Sequence, residues 1–119
     1  MLNKGVKSEE DRRIESIVLK LSSIGFVPKD KELVENIDQE LKKVGLSYEH
    51  MLTLDGKALA EHLHRFNFNW EYMEQFGDLL SQWGSKEAEL KAKAKAIYQY
   101  IQDESKAFSF NLMTKISQL

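Results

Sequence analysis

Apolar side chains recur at steps of three and four residues along most of this chain, the spacing that aligns one face of an α-helix. No stretch alternates convincingly as a half-buried strand would. Ser8, followed by Glu9, Glu10 and Asp11, predicts the cap of a first helix with acidic residues at the favourable end of its dipole. Ile14, Ile17, Val18, Leu21 and Ile24 make its buried stripe, and Gly25 is expected to stop it in the left-handed conformation. Pro28 and Asp30 open a second helix, with Leu33, Ile37, Leu41 and Val44 on its stripe and Gly45 at its end. The short connection makes these two helices antiparallel neighbours. Ser47 begins a shorter piece carrying Tyr48, Met51, Leu52 and Leu54, and Asp55 caps a third full helix built on Leu59, Leu63 and Phe66. Asn69 caps a fourth, with Phe68 before the cap and Met73 inside it spaced as a hydrophobic staple.

The fourth helix has the widest apolar arc: Trp70, Tyr72, Met73, Phe76, Gly77, Leu79, Leu80 and Trp83 leave little more than a third of the wheel to polar residues. An arc that wide packs against two neighbours, which makes this the central helix. Gly77 costs about 1 kcal/mol of helix propensity relative to alanine, so a close approach of another backbone is expected over it. Gly84 ends the helix and Ser85 is expected to cap the last one.

From Ser85 to Leu119 there is neither glycine nor proline, and Leu90, Ala94, Ile97, Ile101, Ser105, Phe108, Leu112, Ile116 and Leu119 fall on one stripe. The pattern favours one continuous helix of roughly 50 Å, long enough to overhang a compact domain of this length, which would be about 35 Å across. Phe110 and Met113 lie on the opposite side of the wheel from Phe108, Leu112 and Ile116, so a continuous tail would be apolar all round and would need cover. The other outcome is a break within Ala107–Asn111, with Ser109 capping a short final helix that folds back and buries both faces. With no glycine or proline to force the turn, continuity is the expectation.

Residues Trp70 to Ile101 resemble a single tetratricopeptide-type helical hairpin. The likeness rests on Phe76–Gly77 and Leu80 in the first helix, Gly84 at the turn, and Ala88, Ala92 and Ala96 in the second. Such repeats ordinarily stack in threes or more, and no second copy is present here. The resemblance implies a helical hairpin used for protein contacts and supplies no catalytic residue.

Composition narrows the reading. A chain of 119 residues, 42% hydrophobic, forms one domain able to bury a core without staples, with residues 1–7 expected to be flexible. The absence of cysteine removes disulfides, thiol nucleophiles and cysteine-ligated metal sites, and fits a cytoplasmic setting. No apolar run is long enough to span a bilayer, and Met1 to Asp11 lacks the hydrophobic segment of a signal peptide. A net charge of −2 leaves nucleic-acid binding to a concentrated basic patch. Lys91, Lys93 and Lys95 point in different directions on a helix and are offset by Glu87 and Glu89, so they read as a solvated face.

The three histidines are the first candidates for chemistry. Glu61-His62-Leu63-His64 contains one Glu-x-x-His spacing, whereas carboxylate-bridged di-iron bundles need two. Glu61 and His64 lie opposite the Leu59/Leu63/Phe66 stripe and should face solvent. His62 and His64 are about 200° apart on the wheel and cannot chelate one ion from one helix. Gly-x-Ser-x-Gly and phosphate-cradling loops are absent, and the glycines stand singly. The carboxylates Glu71, Glu74 and Asp78 read as a solvated or partner-facing acidic strip rather than an acid–base pair.

The expected protein is therefore an all-α bundle of about five helices with a long C-terminal one. Its expected role is a cytoplasmic protein-interaction or homo-oligomerising module, without catalysis or cofactor. Its partner would be a second copy or another protein, not nucleic acid or membrane. The residues expected to meet that partner are Trp83, Phe108, Phe110, Leu112, Met113 and Ile116. The alternative is a small-molecule- or metal-binding bundle, enzymatic or not, centred on His50, His62 and the tyrosines of the last two helices.

Overall fold

A computed structural model of the chain describes residues 8–106 and 109–119, and the reading of residues 1–7 as flexible lies outside them. Among the described residues every regular element is helical: α1 (Glu9–Ser22), α2 (Lys31–Leu41), a 3-10 turn (Lys42–Val44), α3 (Tyr48–Thr53), α4 (Gly56–Arg65), α5 (Trp70–Trp83), α6 (Ala88–Ser105) and α7 (Phe110–Ser117). Five of these are substantial helices, α3 and α7 being short, and the longest, α6, lies toward the C-terminus.

The helix starts follow local chemistry. The side chains of Ser8, Asp30, Ser47, Asp55 and Asn69 each accept a hydrogen bond from the amide three residues on, at 2.8–3.1 Å. That satisfies one of the four orphan donors at each helix start. Two boundaries differ from expectation. Ser85 does not cap α6: its hydroxyl turns back to donate to the Gln82 carbonyl at 3.0 Å, and the helix begins after Glu87 without a side-chain cap. Gly25 is not left-handed either, because Ser23 closes α1 with its own amide bonded back to Leu19. Gly45 does take the left-handed conformation, at φ 71°, and a Cβ there would sit 2.7 Å from the Phe66 ring, so turn and packing both require glycine.

The core is one cluster. Ile14, Ile17 and Leu21 of α1, Ile37 and Leu41 of α2, Leu59 and Leu63 of α4, Met73, Phe76 and Leu80 of α5, and Leu90, Ala94 and Ile97 of α6 are all essentially inaccessible. Helix α5 packs against α1, α4 and α6, the central position its wide apolar arc requires. Its pairing with α6 is the most extensive in the molecule. Gly77 faces Tyr98 and Gly84 faces Lys91, so the two helices run antiparallel. What lies over Gly77 is the Tyr98 ring rather than the expected backbone, with Tyr98 Cε1 2.7 Å from where a Cβ would stand. Polar contacts to backbone tie the elements together: His62 Nε2 of α4 donates to the Val44 carbonyl at 2.7 Å, and Lys93 of α6 donates to the Leu54 carbonyl at the end of α3.

Candidate functional site

The tail does not continue as one helix. Helix α6 ends at Ser105, Lys106 turns left-handed at φ 60°, and the Ser109 hydroxyl accepts from the Leu112 amide at 3.2 Å to start α7. The 50 Å overhang therefore does not exist, and the principal extents of the fold are 48 × 32 × 22 Å. The physical reason is long-range. Left-handed backbone costs a lysine about 1–2 kcal/mol. Burying Leu112 almost completely contributes about 1.5–3 kcal/mol, and Ile116 and Leu119 add partial burial against the same core. Docking outweighs the strained turn.

Charge fixes where α7 docks. Lys115 Nζ lies 2.6 Å from Glu74 Oε2 and 3.0 Å from Asp78 Oδ1, both on α5, and 5.7 Å from the centre of the Tyr98 ring. The acidic strip on α5 thus faces a partner, and that partner is the chain's own α7. Burial works against the lysine charge, but the hydrogen bonds that Lys115 donates to Glu74 and Asp78 outweigh it and hold the ammonium above the ordinary lysine range. The Tyr98 hydroxyl donates to Asp78 Oδ1 at 2.6 Å, and burial, then that bond, pushes the phenol well up. These are partly exposed ion pairs, worth at most about 1 kcal/mol each, so they set register while the apolar face supplies affinity.

The six residues expected to meet a partner separate accordingly. Trp83 is a core residue, 3% exposed and stacked on Phe26 with ring centres 4.7 Å apart at 11°. Its place beside a glycine turn suggested exposure, but the 23–28 loop closes over it. Leu112 is buried and Ile116 half-buried, both facing the bundle. Phe108 lies outside the described residues. Phe110 and Met113 point outward at 78% and 47% exposure, so the fold-back buries one face of α7 and not both. Among the described residues the other large exposed apolar side chains are Leu19 and Val27, on α1 and in the following loop. Only Phe110 and Met113 stand one turn apart on one helix, where their side chains are neighbours.

The histidines form two separate groups. His62 stacks on Phe66 at 4.5 Å with its Nε2 committed to Val44, and His50 stands edge-on 6.3 Å away. His64 is exposed, as its wheel position requires, yet its Nδ1 lies 3.1 Å from the Tyr100 hydroxyl and its ring 4.8 Å from Trp70. Among the described residues no group of three or more His, Asp or Glu side chains is placed to hold a metal ion. An open concavity of about 470 Å³ lies between α2 and α3 with Pro28, Val34, Tyr48 and Leu52 on its walls, away from the histidines. The sequence names Glu74 and Asp78 as an acidic strip and the tyrosines of the last two helices as companions of His50 and His62, but it pairs neither the strip with Lys115 and Tyr98 nor His64 with Trp70 and Tyr100. Those groupings join residues far apart in sequence, which no local spacing signals.

Compared with family models, curated proteins and solved structures, the chain matches none. No helix among the described residues is long and apolar enough to cross a membrane.

Proposed function

We propose that this chain is a non-catalytic protein-interaction module whose contact surface is the outer face of α7. The observation that carries the reading is the pair Phe110 and Met113, 78% and 47% exposed on a helix whose other face is docked on the core. A helix already formed at the surface presents its apolar groups without having to fold on binding, which lowers the ordering cost of association. Burying the two side chains would contribute about 1.5–3 kcal/mol each. Association costs roughly 4–15 kcal/mol in lost freedom, so the pair anchors a contact that must also engage the neighbouring polar surface. Asn111, Thr114 and Ser117, all exposed beside the pair, can provide that rim.

The hairpin of α5 and α6 supports the same reading from a different side. Gly77 on its first helix receives the Tyr98 ring from its second, and the sequence here resembles a tetratricopeptide-type hairpin, which implies a unit used for protein contacts. A cytoplasmic setting accords with a chain that has no cysteine. The test is affinity capture from the native host with the wild-type chain and with Phe110→Glu/Met113→Glu in parallel. Helix content and melting temperature of the two should agree, because the substituted side chains lie outside the core. A partner retained by the wild type and lost by the variant is the expected outcome. Identical partner sets would reject α7 as the contact surface.

A further inference from the structure

We propose that α7 exchanges between two copies of this chain, so that each copy's α7 docks on the α5–α6 groove of the other in a closed, two-fold dimer. Three observations carry this. First, Lys106 is held left-handed at φ 60°, a conformation that costs an L side chain what it does not cost glycine. Second, from Ser85 to the C-terminus the chain has no glycine or proline, so nothing covalent prevents Lys106 from returning to the helical region and carrying α7 away from its own core. Third, the contacts that seat α7 are blind to which copy supplies it. Leu112, Ile116 and Leu119 meet the core as side chains, and Lys115 meets Glu74 and Asp78 across 37 to 41 residues of sequence. The long Gln102 Nε2 to Ser109 carbonyl hydrogen bond, 3.5 Å, belongs to the turn itself and is given up.

Exchange therefore preserves the docking contacts and releases strain at two turns. A strained residue at a hinge is the setting in which such swaps arise, and two-fold exchange closes without leaving a free groove. Closure within one copy competes at an effective concentration on the order of 1 mM. Relief of the left-handed lysine is worth about tenfold per turn, or about a hundredfold for two. The swapped dimer is then expected with a Kd on the order of 10 µM. The contact uses the inner face of α7, so it is independent of the outward Phe110 and Met113.

Two measurements test the exchange. Sedimentation equilibrium of the wild type is compared with Lys106→Gly, which relaxes the left-handed turn and disfavours helix through it. The variant is expected to dimerise about a hundredfold more weakly or not at all. In the second, Lys115→Glu is mixed with Glu74→Lys/Asp78→Lys. Each variant alone opposes like charges at its own α7 seat, whereas exchange in the mixture pairs opposite charges at both seats. A one-to-one heterodimer by native mass spectrometry, formed on mixing and by neither variant alone, is the expected result. A wild type monomeric to millimolar concentration, or a mixture of folded variants without heterodimer, would overturn the exchange. So would a wild-type dimer indifferent to Lys106→Gly and abolished by Phe110→Glu/Met113→Glu, a result that would leave the outer-face contact standing.

Discussion

Gly77→Ala is the substitution in which helix propensity and tertiary packing oppose each other most directly. In an exposed helix interior it would stabilise by about 1 kcal/mol. Here an added methyl would stand 2.7 Å from Tyr98 Cε1, 3.2 Å from Cδ1 and 3.3 Å from Cζ, so the ring must move. Tyr98 has nowhere convenient to go: it is 1% exposed and its hydroxyl is held 2.6 Å from Asp78 Oδ1. Overpacking of a filled core costs about 1–3 kcal/mol. Displacing the hydroxyl also weakens a hydrogen bond to a carboxylate, a class worth about 1.5–3 kcal/mol when intact. Set against the propensity gain, the net is a loss of about 1–3 kcal/mol, or a fall in melting temperature of roughly 5–10 °C for a domain of this size. Thermal melts followed by circular dichroism measure it, and Tyr98→Leu supplies the control. In that background the ring is gone, and Gly77→Ala should cost nothing or gain up to about 1 kcal/mol. A rise in melting temperature in the wild-type background, or an equal loss in both, would refute a steric role for Tyr98.

Ile97→Ala and Ile101→Ala truncate side chains 0% and 3% exposed on α6, and each should lose about 2–4 kcal/mol in urea unfolding; under half a kcal/mol would place the stripe at the surface. Tyr48 gives a pH signature. Burial first, then the charges of Glu87 and Glu89, push its phenol from 10.0 to about 12. The folded state then holds this proton more tightly than the unfolded one, so the stability it contributes is complete below pH 10 and lost as pH rises toward 12. Its hydroxyl is buried without a hydrogen-bond partner among the described residues, so Tyr48→Phe should be neutral to stabilising at pH 7 and should flatten the alkaline decline in urea titrations. An unchanged alkaline slope would show that Tyr48 ionises equally easily in both states.

Sequence by itself determined the helices up to the tail and most of their starts. A helix start is satisfied by a side chain three residues away, so Ser8, Asp30, Ser47, Asp55 and Asn69 could be read as caps without knowing what packs where. Periodicity also placed Leu112 and Ile116 on one side of the tail with Phe110 and Met113 on the other, which is how the fold uses them. Tertiary structure alone decided that the tail breaks. Locally Lys106 is an ordinary helix former, and it turns left-handed because α5 and α6 offer Leu112 and Lys115 a seat that an extended helix could not reach. The same holds for Trp83, which Phe26 covers from another helix connection, and for Gly77, whose neighbour is a ring twenty-one residues away rather than a backbone. Caps and periodicity are short-range and written in neighbouring residues. Which apolar face meets which, and which carboxylate finds which lysine, depends on energies that exist only once the chain has closed on itself.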